Sequence, residues 1–407
     1  MIELALAGCP SSGKSTFFKA CTLKDVKIAP YPFTTTSPAE GIGYVTTRCP
    51  CSDPALAERI VTSRGAASNT ESLCKKCIGG TRLVPIKLWD IVGLVPDAHL
   101  GRGRGVAFLD DVRQAQALIH IIDASGRTDL EGNPTSGFDP TEAVRMLERE
   151  IAWWMMGILK RGIAMAPRGK AESFIEIAAK QFTGLGIKPD QIERTLTECT
   201  LDPGGYRSWS DDKLFAFVDR LRAVSKPSVI AANKCDLPEA RANIERLKKA
   251  YPDRIIIPTS GDLELALREA AAAGVIKYVP GASSFEMLQP DKLSEKQRHA
   301  LSYIREFLKN NGSTGVQTAL NAAAFKLLDL IVVYPVADPH KLTDKNGRVL
   351  PDAFLLKHGS TARDLAFAVH EDIGKKFIAA VNARTGQNIA ADQPLKDGDV
   401  VSIKAGR

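Results

Sequence analysis

The stretch Gly8–Thr16, GCPSSGKST, comes straight after the apolar residues Ile2, Leu4 and Leu6 and straight before FFKAC. Its G-x-x-x-x-G-K-S spacing reads as strand, curled loop and helix start, and it constrains the fold more than any other feature of the chain. Glycines let successive backbone N–H groups point inward, and the following helix adds its positive end, so anionic oxygens meet donors with no bulky side chain between. The expected occupant is a nucleotide triphosphate. Gly8, Pro10, Ser11, Ser12, Gly13 and Thr16 line the cradle, Lys14 reaches the β and γ phosphates, and the Ser15 hydroxyl binds magnesium.

Two later stretches narrow the choice of nucleotide. IKLWDIVGL places Asp90 and Gly93 at the end of a second apolar strand, where the carboxylate holds the magnesium water shell and the Gly93 amide touches a γ-phosphate. PSVIAANKCD, a third apolar strand, ends in Asn233, Lys234 and Asp236. A carboxylate there accepts both the ring N–H and the exocyclic amino group of guanine, a donor pair that adenine lacks. The three stretches occur in the order that a guanine-nucleotide site requires.

Taken with YPFTTTSPAEG and WDIVGLVPDAHLGRGRGVAFLDD, these residues resemble the Obg-related GTPases, in the archaeal and fungal YchF-like branch, over essentially the whole chain. The resemblance implies an α/β P-loop GTPase domain over 1–285 that hydrolyses GTP to GDP and phosphate with magnesium. It assigns Thr35 as a second magnesium ligand, ordered when the γ-phosphate is present, and Phe33 as a nucleotide contact. Lys14, Thr35 and Gly93 are the catalytic set. IIIPTSGD supplies the last guanine contact through the backbone at Ser260 and Gly261.

Several residues depart from related enzymes. Leu94 stands where Ras-like enzymes carry a water-orienting glutamine, and a leucine cannot hydrogen-bond, so intrinsic hydrolysis is expected to be slow. Ser11 replaces the asparagine of potassium-assisted relatives, which counts against potassium stimulation. Asp236 favours GTP, whereas bacterial YchF proteins usually lack that aspartate and prefer ATP. His99, Arg102 and Arg104 are either catalytic groups supplied in cis or solvated residues of a glycine-rich loop. Gly101, Gly103 and Gly105 supply backbone freedom for that loop to relax once the γ-phosphate leaves.

Four of the eight cysteines cluster, as RCPC (Cys49, Cys51) and CKKC (Cys74, Cys77). Each pair adjoins one of two strands that run antiparallel as neighbours, so both pairs meet at one end of a hairpin and close a loop of polar residues such as SRGAASNTES. The readings are tetrahedral zinc, reduced structural cysteines or a disulfide, and in either bonded case the role is a structural clip. Cys9, Cys21, Cys199 and Cys235 are isolated and read as packed.

Residues 131–224 exceed what a G domain needs. AVRMLEREIAWWMMGILKRG has helical period, two further helical stretches follow it, and the YchF-like relatives carry a helical hairpin here. Trp153, Trp154, Met155 and Met156 read as core or, less simply, as a base-stacking surface. Arg145, Arg149, Lys160, Arg161, Arg168 and Lys170 form either an RNA-facing stripe or a solvated face. Residues 286–330 read as a helical linker. The tail, 331–407, resembles a TGS domain, a ubiquitin-like β-grasp module, through HGSTARDLA and LKDGDVVSI; Thr361 caps its helix, with Asp364 three residues on. The TGS resemblance implies a role in binding RNA or ribosomes.

A net charge of +7 over 407 residues fits contact with a polyanion without demanding it. No run of apolar residues reaches membrane-spanning length and no signal peptide is seen, so the expected setting is the cytoplasm with no membrane partner. The leading function is a GTP-hydrolysing switch that associates with ribosomes, RNA or translation factors. Its rivals are an ATP-preferring NTPase of the same family, a passive RNA-binding scaffold with a structural nucleotide site, and a P-loop small-molecule kinase, against which Asp236 and YPFTT speak.

Overall fold

The protein is described from a computed structural model over residues 1–24, 39–64, 72–101, 111–166 and 173–406. Thr35, Phe33, Arg102, Arg104, Gly103, Gly105, Arg168 and Lys170 lie outside the described residues. The first sheet contains β1 (Glu3–Ala7), β2 (Ala39–Arg48), β3 (Cys77–Ile78), β4 (Thr81–Asp90), β5 (Ala117–Asp123), β6 (Ser228–Asn233) and β7 (Ile256–Pro258). Its order is β2-β4-β1-β5-β6-β7, with β3 paired to β4. The five strands from β4 to β7 run parallel, and β2 closes one edge antiparallel. β5 and β6 are buried at every position, as a parallel sheet covered on both faces requires.

Alternation along β1 assigns the two faces. Leu4 and Leu6 join Phe17 and Phe18 of α1 (Lys14–Thr22) in one apolar cluster, while Ala5 and Ala7 join Met155 and Leu159 in another on the opposite side. Between the two cysteine pairs the chain is not simply a polar loop: Pro54–Arg64 forms α2, anchored by Leu56 and Ile60 one helical turn apart.

The segment facing Ala5 and Ala7 is a bundle rather than a hairpin. It consists of α3 (Pro140–Met165), α4 (Phe174–Phe182), α5 (Pro189–Glu198) and α6 (Asp211–Ser225), so three α-helices follow the first. Asp139 caps α3 and Ser173 caps α4 with a reciprocal Glu176, which satisfies N–H groups that the helix cannot pair itself. Met155 and Met156 are buried; Trp153 and Trp154 are half-buried against the same core. Two members of the basic series are already paired, Arg145 with Glu142 at 2.5 Å and Lys160 with Asp211 at 2.7 Å.

After β6 and β7 come α7 (Ala240–Ala250) and α8 (Gly261–Ala272), then a small ribbon of β8 (Ile276–Lys277) and β9 (Glu286–Met287). α9 (Glu295–Asn311) starts in a Ser294–Gln297 capping box and ends at Gly312. α10 (Val316–Asn321) restarts the helix and passes into a π-helical turn, Ala322–Leu327. Asn321 accepts from the Thr46 N–H and donates to the Thr46 hydroxyl, and Gln317 donates to the Tyr44 carbonyl, so side chains cover backbone groups of edge strand β2.

A second sheet, in the order β11-β10-β14-β12-β13, holds β10 (Leu330–Val336), β11 (Phe354–Lys357), β12 (Phe377–Asn382), β13 (Asn388–Ile389) and β14 (Val400–Ala405). β10 and β14 run parallel at its centre. The Thr361 hydroxyl caps α11 (Ala362–Val369), and the Asp364 carboxylate returns to the Thr361 N–H. Along β10, Ile331 and Val333 pack with Leu365 of α11, while Val332 and Tyr334 point into the cluster that contains Phe17 and Phe18. This module therefore shares an apolar core with the first sheet. Polar ties surround that contact: Arg59 donates to the carbonyls of Ala383 (2.6 Å) and Pro339 (2.5 Å), and Arg384 pairs with Asp53 at 2.7 Å.

Candidate functional site

Register places the candidate residues on one edge. Leu6 lies opposite both Asp90 and Ile119, and Asp123 lies opposite Asn233, so β1, β4, β5 and β6 end nearly level. The turns leaving the carboxyl ends of these strands carry Gly8–Ser15, Ile91–Leu94, Ala124–Thr128 and Lys234–Asp236. In an open parallel sheet this edge is where ligands sit.

Asn233 joins three of these turns. Its amide nitrogen donates to the Ser12 carbonyl at 2.9 Å, and its oxygen accepts from the Gly261 N–H at 3.0 Å. Gly13, at φ 96, caps α1 in the left-handed region, and a Cβ there would fall 2.2 Å from the Asn233 amide nitrogen. Only glycine lets the loop pass so close. Gly93 lies against the same loop, where a Cβ would come within 3.2 Å of the Lys14 ammonium.

Lys14 is buried at the start of α1 and donates to the Cys9 carbonyl at 2.8 Å. Burial lowers its affinity for a proton, while the neighbouring Asp90 carboxylate opposes that shift. Asp90 is fully buried; desolvation pushes its pKa up, offset by Lys14 and by the Ser15 hydroxyl, which donates to Oδ2 at 2.9 Å. Asp90 Oδ1 and the hydroxyls of Ser11 and Ser12 are buried with no hydrogen-bond partner among the described residues. Buried polar atoms seldom stay unpaired, so this loop is shaped for a polar occupant. The Ser15 hydroxyl beside the partly unpaired Asp90 carboxyl is an oxygen donor set that suits magnesium.

At the turns after β5 and β6 the structure adds residues that sequence reasoning missed. Lys234, itself at φ 61, donates its ammonium to Asp123 Oδ2 at 2.8 Å. Asp123 also accepts from the Ser125 N–H and hydroxyl and from the Thr128 hydroxyl, and so organises the turn after β5. Asp236 is half-buried and close enough to Asp262 for its charge to help raise the Asp262 pKa, after the larger effect of burial. The expected backbone contacts at Ser260 and Gly261 look different in place: the Ser260 N–H donates to the Thr314 carbonyl and the Gly261 N–H to Asn233. Both amides are engaged within the protein, so a base reaches the Gly261 N–H only by displacing Asn233. Ser260 meanwhile caps α8 with its hydroxyl.

Leu94 is fully buried in the cluster facing the helical bundle, while its N–H donates to the Gly8 carbonyl at 3.1 Å. Its side chain thus contributes packing to the cluster that also holds Cys9 and Ile91. Just beyond it, Glu150 of α3 accepts from the backbone N–H groups of Asp97 and His99, each at 2.9 Å, and lies 2.7 Å from the His99 ring nitrogen Nδ1. The His99 ring stacks on Trp153 at 5.8 Å. No sequence signal of the local kind marks Glu150, because its partners lie about fifty residues upstream.

The cysteines Cys49, Cys51, Cys74 and Cys77 converge as four buried, unbonded side chains whose sulfurs lie within 4.8 Å of one another. No helix among the described residues is long and apolar enough to cross a membrane.

Comparison with known proteins places the whole chain. The profile of a family described as 50S ribosome-binding GTPase matches residues 3–152, an Obg-like GTPase YGR210-like, G4 motif-containing domain matches 231–338, and a TGS domain matches 342–405. A GTP-binding protein of Methanocaldococcus jannaschii is 47% identical over 405 residues, covering 99% of each chain, and one of Schizosaccharomyces pombe is 35% identical, covering 95% of this chain and 94% of its own. The crystal structure of a GTP binding protein from Pyrococcus horikoshii OT3 is similar over 100% of both chains, with a TM-score of 0.74 and 36% identity. The chain thus belongs to the Obg-like GTPases of the YchF and YGR210-like kind, with a TGS domain at its C-terminus.

Proposed function

We propose that this GTP-binding chain hydrolyses GTP slowly with magnesium and works as a switch that docks on ribosomal particles or structured RNA. The observation that carries the nucleotide part is Asn233, which ties the phosphate loop at Ser12 to the base-side turn at Gly261. Lys14 leaves the Cys9 carbonyl for the phosphate oxygens and stabilises charge that develops on them. Ser15 and Asp90 would hold magnesium, which when bound would offset the negative charge of the phosphates. Asp236 accepts from the base, and Thr35 and Gly93 register the γ-phosphate. In the reaction a water oxygen attacks the γ-phosphorus as the bond to the β-phosphate oxygen breaks, GDP leaves with that electron pair, and the water proton passes to phosphate. With Leu94 turned into the core, no side chain at that position orients the water, and the rate stays low until a partner supplies the missing group.

Support for the docking partner is the family description, 50S ribosome-binding GTPase, together with the TGS domain. Sedimentation with ribosomal subunits in GDP and in a non-hydrolysable GTP analogue tests it. The expected result is cosedimentation favoured by the analogue. Cosedimentation indifferent to nucleotide overturns the switch, and none in either state overturns the partner.

A further inference from the structure

We propose that Cys49, Cys51, Cys74 and Cys77 bind one structural zinc ion, and that this centre, acting through Arg82, clamps the TGS domain onto the nucleotide-binding domain. The sulfurs of Cys49 and Cys74 are 3.6 Å apart, those of Cys51 and Cys74 3.5 Å, and those of Cys51 and Cys77 3.5 Å. Tetrahedral zinc with Zn–S bonds of about 2.3 Å needs sulfur–sulfur edges of about 3.8 Å. The cluster sits close to that spacing and well outside disulfide distance, about 2 Å. An iron–sulfur cluster, with inorganic sulfide between its irons, would hold the cysteines further apart.

Local structure builds the site from both sides. Cys49 follows β2, and Pro50–Ser52 make a short 3-10 turn that brings Cys51 back beside it. On the partner strand, Cys77–Ile78 and Thr81–Arg82 pair across the turn Gly79–Gly80, and the Cys49 N–H donates to the Gly80 carbonyl at 2.8 Å. The Ser72 hydroxyl lies 3.2 Å from the Cys77 sulfur and 3.7 Å from that of Cys74, where it donates to thiolates and orients them.

Arg82 provides the independent observation. Its residue is only 3% exposed, and no carboxylate pairs with it among the described residues. One guanidinium nitrogen lies 3.7 Å from the Cys74 sulfur and donates to the Leu350 carbonyl at 2.9 Å; the other donates to the Pro351 carbonyl at 3.0 Å. The guanidinium carbon sits 5.7 Å from the centre of the Tyr334 ring. A buried cation needs a counter-charge, and neutral thiols supply none. Four thiolates around one zinc carry a net charge of about −2. The centre thus compensates Arg82, and Arg82 in turn grips Leu350 and Pro351 of the TGS region.

The test uses the full chain, purified with zinc available and then dialysed. Metal analysis is expected to find about one zinc per chain, reduced or lost in Cys51→Ser and Cys77→Ser. Cobalt substitution is expected to give the absorption of a tetrahedral tetrathiolate. Chelation of the wild-type chain, and separately Arg82→Ala with its zinc retained, are expected to speed backbone hydrogen exchange over residues 342–351 by about tenfold. Absence of stoichiometric metal, iron in place of zinc, or a mass showing disulfides among the four cysteines overturns the centre. Zinc present with unchanged exchange over 342–351 in Arg82→Ala overturns the clamp, and that variant decides the matter even where chelation loosens the whole chain.

Discussion

Glu150 holds His99 from two directions, accepting its backbone N–H at 2.9 Å and standing 2.7 Å from its ring nitrogen. The helical bundle thereby grips the turn that follows Asp90 and Gly93. Glu150→Ala removes the acceptor of the Asp97 and His99 N–H groups in a part-buried setting, and the expected loss of stability is about 1 kcal/mol. Equilibrium unfolding measures it, and hydrogen exchange at those two amides should rise with it. Exchange that stays at the wild-type rate would show that the grip is incidental.

Asn233 and Asp236 lie three residues apart and are expected to fail differently. Asn233→Ala breaks the bridge between Ser12 and Gly261, and should weaken GTP and ATP alike while lowering stability. Asp236→Ala removes a charged acceptor from the base and should weaken guanine nucleotides selectively by about 2 kcal/mol. Titration of labelled GTP and ATP separates them. An unchanged GTP to ATP ratio in Asp236→Ala would refute its role at the base.

Leu94→Gln is the natural attempt to restore a water-orienting residue, and the structure predicts that it fails. The side chain at this position is fully buried among apolar neighbours, so the amide enters the core unpaired at a cost of about 2 kcal/mol. Single-turnover hydrolysis should not speed up. A rate increase of about tenfold or more would mean that the turn after Asp90 can rotate this side chain toward the phosphates.

His120, on the central strand β5, is 1% exposed, and its Nε2 has no hydrogen-bond partner among the described residues. Burial, reinforced by the charges of Arg254, Lys14 and Arg222, pushes its pKa down from 6.5 to about 3. The unfolded chain therefore takes up this proton first as the pH falls. The associated stability is complete above pH 6.5 and is lost progressively toward pH 3, at about 1.4 kcal/mol per pH unit. His120→Gln should flatten the stability profile by that slope, measured as the difference between variant and wild type. Parallel profiles would show that the imidazole is solvated.

The strands and turns around the phosphate loop are readable from the sequence because their chemistry is local. Gly8, Gly13, Lys14 and Ser15 specify a backbone path within one turn, and Thr361 with Asp364 specifies a helix start within four residues. What escapes a linear reading depends on distant partners. Among its described residues α2 carries only Leu56 and Ile60 fully into the core, too weak a period to stand out beside its polar neighbours. Lys234 turns to Asp123 because β5 and β6 end level, a fact of sheet register. The engaged amides of Ser260 and Gly261 follow from Thr314 and Asn233, and Arg59 meets the TGS carbonyls across more than two hundred residues of chain.

β10 turns Val332 and Tyr334 into the cluster that also holds Leu4 and Leu6 of β1. The small sheet is therefore keyed into the keel of the large one, and any displacement of it would have to break packing against the strand that leads into the phosphate loop. A module on a slack tether would move without that cost.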